Sequence, residues 1–220
     1  MSVLSTTNPD AYFDDRYRMV QAQLRGRGIR DERVLKAMLQ IPRHQFVADE
    51  FKAQAYEDHP IPIGEGQTIS QPFIVADGLQ ALALQGTESV LEVGTGSGYQ
   101  TALLAMLSRM VYSIERHAAL AKAAETILRG LEINNVKIVV GDGSNGIAEF
   151  SPYDVILVSA AAPAIPQALL DQLGENGRMV IPIGPQHSQE LLLVRKRAGD
   201  ATVEVMEGCR FVPLVGAGGY

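Results

Sequence analysis

Residues 90–105 read VLEVGTGSGYQTALLA, and this stretch decides the fold of the chain. Val90–Val93 resemble the end of a buried strand, and the apolar residues of the second half return at helical spacing. The glycines between them therefore form a strand-to-helix turn. Without Cβ atoms, Gly94, Gly96 and Gly98 allow positive φ values and let a ligand lie against the backbone, while the first helical N–H groups point at that ligand. The stretch predicts a site for a nucleotide-like molecule.

The spacing of the glycines narrows the class of nucleotide. Dinucleotide-binding folds carry G-x-G-x-x-G, whose third glycine permits close packing of helix and strand around a pyrophosphate. This chain has Tyr99 at that position, which disfavours an NAD-linked oxidoreductase, and it lacks the Gly-Lys-Ser/Thr ending of a P-loop. The spacing G-x-G-x-G, with Glu92 two residues before the first glycine, resembles the first motif of S-adenosylmethionine-dependent methyltransferases.

Composition indicates a globular protein. The 220 residues fit one domain with extensions, and a hydrophobic content of 46% is enough to bury a sizeable core. A net charge of −6 gives no general attraction to nucleic acid or anionic membrane, and no run of about 18 apolar residues marks a membrane span. Cys209 is the only cysteine, which agrees with a reducing compartment, and the N-terminus lacks a signal-peptide pattern. We expect a cytoplasmic protein that binds neither nucleic acid nor membrane, with residues 1–11 frayed.

Two amphipathic helices are predicted near the start of the chain. Apolar side chains fall on one helical face at Phe13, Tyr17, Val20 and Leu24. Asp31 is the predicted N-cap of a second helix that runs through Gln40. The basic residues of this region are interpreted as solvent-facing, because no series of aromatic residues for stacking on nucleic-acid bases accompanies them.

The loop before the glycine turn carries a cluster of small hydroxyl and amide groups. Residues 60–71 read PIPIGEGQTISQ, and the prolines and glycines predict an extended, bent loop. Pro72 suits the first turn of a helix to about Leu84, for which Ser70 is one candidate cap. Alternatively, Ser70 and its neighbours lie over a bound ligand.

The run 66–72 (GQTISQP), followed by the glycine turn, resembles the protein-L-isoaspartate (D-aspartate) O-methyltransferase family. Later segments agree with the same family: residues 141–143 (GDG), 153–163 (YDVILVSAAAP), 166–173 (PQALLDQL), 177–184 (GRMVIPIG) and 211–214 (FVPL). The resemblance implies an α/β fold of the Rossmann-like class I methyltransferase type, with a mostly parallel seven-stranded sheet, an antiparallel C-terminal hairpin, helices on both faces and an N-terminal helical extension. It assigns residues 1–75 to the extension and active-site loop, and residues 76–220 to the S-adenosylmethionine-binding core, all in one compact domain.

Two acidic residues complete the predicted cofactor site. Glu115 ends a short apolar strand about twenty residues past the glycines, where doubly wound folds place the acid that binds both ribose hydroxyls. Because a carboxylate repels a 2′-phosphate, this position favours an unphosphorylated adenosine. Asp142 follows the next predicted strand, and in similar methyltransferases an acid here meets the adenine amino group. The alternative is a Gly-Asp-Gly turn chosen for backbone freedom, but the spacing from Glu115 favours binding.

The apolar strand Val155–Val158 leads into Ser159–Pro163, which we expect to line the site because ligands of open α/β sheets bind beyond the carboxyl ends of the strands. The resemblance implies that this segment helps to hold the acceptor peptide. The resemblance also implies that the segment Phe211–Gly216 folds back over the cofactor. After the small residues that follow Val158, we expect a helix over 165–173 and strands over 179–183, 190–196 and 202–207. The last two strands are expected to join at Gly199-Asp200.

The predicted sites are as follows. The S-adenosylmethionine site comprises Gln67, Thr68, Ile69, Ser70, Glu92, Gly94, Thr95, Gly96, Ser97, Gly98, Glu115, Asp142 and Gly143. The acceptor site comprises Ser70, Ala160, Ala161, Ala162, Pro163 and Val215. Ser70 is the predicted catalytic residue. No metal is expected, because the four histidines are scattered along the chain at His44, His59, His117 and His187.

The resemblance implies methyl transfer from S-adenosylmethionine to the free α-carboxylate of L-isoaspartyl residues in damaged peptides and proteins, which starts repair through a succinimide. An α-carboxyl group has a pKa near ~3.5 and is already an anion at neutral pH, so no general base is needed. Activity on D-aspartyl residues and the choice between monomer and dimer are left open. The alternatives are a small-molecule or nucleic-acid methyltransferase of the same fold and a non-catalytic nucleotide-binding module.

Overall fold

A seven-stranded sheet forms the centre of the fold. The computed structural model describes residues 11–220, so the expectation of fraying for residues 1–11 lies, apart from Ala11, outside the described part. The strands are β1 (Ile61–Gly64), β2 (Gln67–Ile69), β3 (Ser89–Val93), β4 (Met110–Glu115), β5 (Val136–Val140), β6 (Tyr153–Val158), β7 (Leu173–Ile183), β8 (Gln189–Arg197) and β9 (Asp200–Cys209). The large sheet has the order β5-β4-β3-β6-β7-β8-β9, and β1 and β2 form a separate pair.

The strand order reverses beside β3. This strand pairs in parallel with β4 on one side and with β6 on the other, whereas β8 pairs antiparallel with both β7 and β9. In an open α/β sheet, such a switch point leaves a crevice beyond the carboxyl ends of the strands. The predicted fold class is therefore confirmed, and the turn of the C-terminal hairpin lies at Ala198 and Gly199, one residue earlier than predicted.

Helices pack on both faces of the sheet. They are α1 (Phe13–Arg18), α2 (Glu32–Gln40), α3 (Pro72–Leu82), α4 (Tyr99–Leu107), α5 (Ala118–Gly130) and α6 (Gln167–Gln172). Because side chains of a strand alternate between faces, Val155 and Leu157 of β6 join one apolar cluster while Ile156 and Val158 join another. Within residues 11–220, no helix combines the length and the apolar character needed to cross a bilayer.

The first helix departs from its predicted pattern. The N-cap prediction for α2 is confirmed, since the Asp31 side chain accepts hydrogen bonds from the backbone of the first helical turn. In contrast, α1 continues into a π-helical turn over Met19–Leu24, which has more residues per turn than an α-helix. Phe13 and Tyr17 are therefore about half exposed, at 47% and 49%, whereas the later residues of the predicted apolar face are buried. The prediction of one buried face was wrong for the first half of this segment.

The loop before α3 is a β-hairpin rather than the bent, extended loop that was predicted. Its turn residues, Glu65 and Gly66, both have positive φ, at 53° and 70°, as a tight hairpin turn requires. The helix α6 is shorter than the helix predicted over 165–173, and Leu173 already belongs to β7.

Candidate active site

A cavity of about 800 Å³, including its open mouth, lies at the switch point. This volume is within the range of about 300–1,000 Å³ that is typical of small-molecule sites. Among the predicted site residues it is lined by Gln67, Thr68, Ile69, Ser70, Gly94, Thr95, Gly96, Ser97, Glu115, Gly143, Ala160 and Val215. Glu92, Gly98, Asp142, Ala161, Ala162 and Pro163 do not line it. The structure therefore brings together segments that are up to about 150 residues apart in sequence.

The glycine turn forms the floor of the cavity, and its glycines serve different purposes. Gly96 has φ of 53°, and a Cβ atom there would lie 3.3 Å from Ile63 Cδ1 of the β-hairpin. Gly98 has φ of 89°, and a Cβ there would lie 3.0 Å from the Cβ of Ala124 in α5. Gly96 thus permits the hairpin to approach the turn, whereas Gly98 permits α5 to pack beneath it.

Glu115 lies at the carboxyl end of β4 with its carboxylate facing the cavity wall. The residue is only 5% exposed, and its two oxygens accept hydrogen bonds of 2.9 Å from the backbone N–H groups of Gly96 and His117. Each carboxylate oxygen can accept more than one hydrogen bond, so both retain capacity for a ligand. A fixed carboxylate with free lone pairs suits a vicinal diol such as that of a ribose.

Glu92 lies under the floor of the cavity and is fully buried. Its carboxyl group accepts hydrogen bonds from Ser113, Thr101 and Gln100 at 2.6, 2.6 and 3.3 Å. Burial raises the pKa of Glu92 to about 7, although these hydrogen bonds oppose the rise. Gln100 also donates to Ser159 Oγ at 2.6 Å, so Glu92 supports the cavity wall through this amide.

Replacing Glu92 with glutamine is expected to remove a pH dependence of stability. Because folding raises the pKa of Glu92 from 4.5 to about 7, the parent protein loses stability as the pH rises through this interval. The free energy of unfolding of Glu92→Gln relative to the parent should therefore increase by about 2 kcal/mol between about pH 5.5 and about pH 8.5. Urea unfolding at both pH values measures it, and a difference that does not change with pH would contradict the raised pKa.

Asp142 lies beside the cavity and is bonded to its own turn and to the C-terminal segment. Its carboxylate accepts hydrogen bonds from Ser144 N, Ser144 Oγ and Ala217 N at 2.9, 2.7 and 2.9 Å. Partial burial raises the pKa of Asp142, but these hydrogen bonds outweigh it and hold the pKa below its usual value. Its neighbour Gly143 provides the cavity lining at this point.

Ser70 lies where two openings meet. It lines the cavity and also a neighbouring groove of about 1,140 Å³, including open solvent, and Ser159 lines both as well. Gln71 is the N-cap of α3, and the backbone N–H of Phe73 in the first turn donates to the Asp58 side chain at 3.1 Å, so the capping interpretation of Ser70 was wrong. No hydrogen bond joins the Ser70 hydroxyl to another group within residues 11–220, which leaves it available to a ligand.

The residues after β6 anchor the C-terminal segment. Ala161 N donates to Val212 O at 2.8 Å, and Leu214 N donates to Ala161 O at 2.7 Å. Ala162 forms a parallel bridge with Ile183. Ala161 and Ala162 are fully buried by these contacts, so the structure places them behind the residues 212–215 that line the cavity. The position of these residues at the cavity agrees with the fold-back that the resemblance implies.

Gln100 and Arg116 are polar residues of the cavity wall that sequence reasoning missed. Ser159, which was expected to line the site, lines the cavity beside them. Gln100 is the second residue of α4 and Arg116 directly follows Glu115, so position after a strand or a glycine turn is the signal that identifies them. Nothing in their residue types distinguishes them from ordinary surface residues.

Known proteins of one family are similar to this chain over nearly its whole length. A family model described as protein-L-isoaspartate(D-aspartate) O-methyltransferase (PCMT) matches residues 15–219. A protein-L-isoaspartate O-methyltransferase of Koribacter versatilis (strain Ellin345) is 54% identical over 206 residues, which are 94% of this chain and 93% of the relative. One of Syntrophus aciditrophicus (strain SB) is 51% identical over 214 residues, which are 96% and 98% of the two chains.

Solved structures show the same similarity. A structure named protein-L-isoaspartate O-methyltransferase superposes with a TM-score of 0.83 and 31% identity, covering 93% of this chain and 67% of that chain. A β-aspartate methyltransferase structure from Plasmodium falciparum, in complex with S-adenosyl-L-homocysteine, superposes with a TM-score of 0.80 and 29% identity. That superposition covers 91% of this chain and 98% of the other.

Proposed function

This chain belongs to the protein-L-isoaspartate(D-aspartate) O-methyltransferase family, and from that membership we propose how its residues perform the reaction. The enzyme transfers a methyl group from S-adenosylmethionine to the free α-carboxylate of L-isoaspartyl residues in damaged peptides and proteins, which starts repair through a succinimide. The observation that carries the proposed residue roles is the position of Ser70, which is shared by the cavity and the groove.

The cavity fits S-adenosylmethionine by the chemistry of its lining. We assign the ribose to Glu115, whose carboxylate is held in place by two backbone amides. Backbone without side chains at Gly94 and Gly96 would lie along the ligand, and Gly143 would line the adenine end. When bound, the cofactor supplies a methyl group on a sulfonium, which needs no further activation. Glu92, Gly98 and Asp142 are proposed to support these residues from behind the cavity lining.

The acceptor needs orientation rather than a base. Among residues 11–220, no histidine, lysine or cysteine lines the cavity. An α-carboxylate has already lost its proton at neutral pH, so this lining is sufficient for nucleophilic attack by an oxygen anion. We assign to the Ser70 hydroxyl a hydrogen bond to the acceptor carboxylate that directs one oxygen at the methyl group. Positioning of this kind supplies up to about 7–11 kcal/mol of a barrier in favourable cases.

The peptide around the acceptor is proposed to occupy the groove. Ser70 and Ser159 connect the groove to the cavity, and Ala160 and Val215 line the cavity beside them. Gln71 and Arg210 line the groove and offer a side-chain amide and a guanidinium group to a peptide backbone. The groove is open to solvent, so it can accept the residues that flank the acceptor in a protein chain.

After transfer, the ester carries a better leaving group than the free acid. The neighbouring backbone nitrogen can then attack the ester carbonyl, releasing methanol and closing the succinimide without help from the protein.

We further propose a cytoplasmic location, because Cys209 has no cysteine partner in this chain and a repair enzyme acts on aged intracellular proteins.

One assay tests the function. Tritiated S-adenosylmethionine is offered with a peptide containing isoaspartate and with its aspartate twin, and we expect volatile tritium after base hydrolysis for the isoaspartyl peptide alone. Equal transfer to both peptides would indicate another acceptor. Binding of S-adenosylhomocysteine by calorimetry without transfer to either peptide would indicate a non-catalytic module.

A further inference from the structure

Arg43 is a buried cation directly behind Ser70. The residue is fully buried and begins a short 3₁₀ helix, Arg43–Phe46. Its Nε donates to the backbone oxygen of Ala55 and its Nη2 to the backbone oxygen of Ser70, each at 2.7 Å. The Cζ atom lies 4.8 Å from the centroid of the Tyr99 ring. Its contacts therefore join the acceptor loop to the start of α4.

The environment of Arg43 is energetically unfavourable for a charged group. Its two hydrogen-bond acceptors are neutral carbonyls, and its Nη1 atom is buried without a hydrogen-bond partner among residues 11–220. Burial lowers the pKa of Arg43 to about 10, which still leaves it a cation at neutral pH. Taking a charge out of water carries a desolvation penalty, which neutral acceptors offset only in part. Stability alone therefore does not account for an arginine at this position.

The geometry instead indicates a role in the reaction. Ser70 and Tyr99 both line the cavity, and Tyr99 directly follows the glycine turn. Phe46 packs edge-on against the Tyr99 ring at 5.5 Å, so the ring that Arg43 contacts is itself held in place. A planar guanidinium with donors in fixed directions can set the distance between a carbonyl and a ring, whereas a lysine ammonium on a flexible stem cannot.

We propose that Arg43 is a positioning residue for methyl transfer: by holding the Ser70 carbonyl against the start of α4, it fixes the Ser70 hydroxyl relative to the cofactor turn. This inference rests on the proposed role of Ser70 in orienting the acceptor carboxylate. Arg43 itself touches neither the cavity nor the groove.

A double-mutant cycle tests the proposal. Arg43→Lys keeps the charge but loses the fixed donor directions, and we expect kcat on an isoaspartyl peptide at saturating S-adenosylmethionine to fall about 20-fold. In a Ser70→Ala background the same change should lower kcat less than about 3-fold, because the group that Arg43 positions is already gone. Affinity for S-adenosylhomocysteine, measured by calorimetry, should stay within about 3-fold of the parent, since the cofactor contacts are kept.

Arg16 offers a matched control. It is also a buried arginine, at 5% exposure, and donates to the Tyr56 hydroxyl at 3.2 Å, but it lines neither the cavity nor the groove. Arg16→Lys should lower the melting temperature and leave kcat within about 2-fold of the parent. If Arg43→Lys does not fold, Arg43→Gln, which keeps one donor without the charge, replaces it in the cycle.

The outcomes separate the two proposals. Equal fold-losses for Arg43→Lys in the parent and Ser70→Ala backgrounds, with Ser70→Ala itself impaired, would overturn the positioning role and leave the role of Ser70 intact. An unimpaired Ser70→Ala enzyme would reject the role of Ser70 and this inference with it. Unfolding of both Arg43 variants would assign the residue to fold stability and also overturn the proposal.

Discussion

Replacing Ser70 with alanine is expected to lower kcat on an isoaspartyl peptide about 100-fold, because loss of the orienting hydrogen bond lets the acceptor carboxylate leave the line of attack. The melting temperature should stay nearly unchanged, since Ser70 does not cap α3. The KM for S-adenosylmethionine should change little, because the groups proposed to bind it, Glu115 and the glycine turn, lie elsewhere in the cavity. Initial rates with a synthetic isoaspartyl peptide, together with a thermal melt, measure these effects.

The Ser70 prediction has a matched control. Ser151 is an exposed serine whose hydroxyl donates to Ala148 O, and it lines neither opening. Ser151→Ala should therefore keep the parent kcat. Unchanged turnover in Ser70→Ala, with an unchanged melting temperature, would show that the hydroxyl does not take part in the reaction.

Replacing Glu115 with glutamine is expected to raise the Kd for S-adenosylhomocysteine about 30-fold, which corresponds to about 2 kcal/mol for lost hydrogen bonds to a charged group. The amide nitrogen of glutamine cannot accept a hydrogen bond, so it would face the backbone N–H of either Gly96 or His117 as a second donor. The variant thus loses the charge that binds the ribose and disturbs the turn that holds it. Isothermal titration calorimetry measures the affinity.

Glu125 provides the comparison for the loss of charge. It is an exposed glutamate of α5 that pairs with Arg129 on the surface of the helix. Glu125→Gln removes the same charge at a distance from the cavity and should leave the Kd unchanged. Equal affinity of the Glu115 variant and the parent would exclude the assignment of the ribose to this carboxylate.

Local sequence patterns predicted the parts of the fold that depend on interactions between residues close together in the sequence. The strand, turn and helix of residues 89–107 follow from hydrophobic periodicity and from glycines at positive φ. The N-cap at Asp31 depends only on the backbone amides of its own helix. Glu115 could be identified because the carboxyl end of a strand next to the glycine strand is fixed by the topology of the sheet.

Predictions failed where distant contacts decided the outcome. The π-helical turn in the first helix rotates the later residues relative to Phe13 and Tyr17, and no residue type in the segment signals it. The hairpin turn at Glu65-Gly66 lacks the usual Asn-Gly or Asp-Gly pair, so it was interpreted as an irregular loop. In both places tertiary packing stabilises a conformation that local propensity does not favour.

The sequence by itself therefore established the α/β class, the glycine turn and the family resemblance, because each depends on residue types at fixed spacing along the chain. Only the tertiary structure decided which of the predicted residues reach the cavity. Glu92 lies two residues before the turn and Gly98 is its last glycine, yet Glu92 is fully buried and Gly98 faces α5. Arg43 meets Ser70 across 27 residues of sequence. The direction of a side chain and its distant partners are set by the packing of whole elements, which spacing along one chain does not encode.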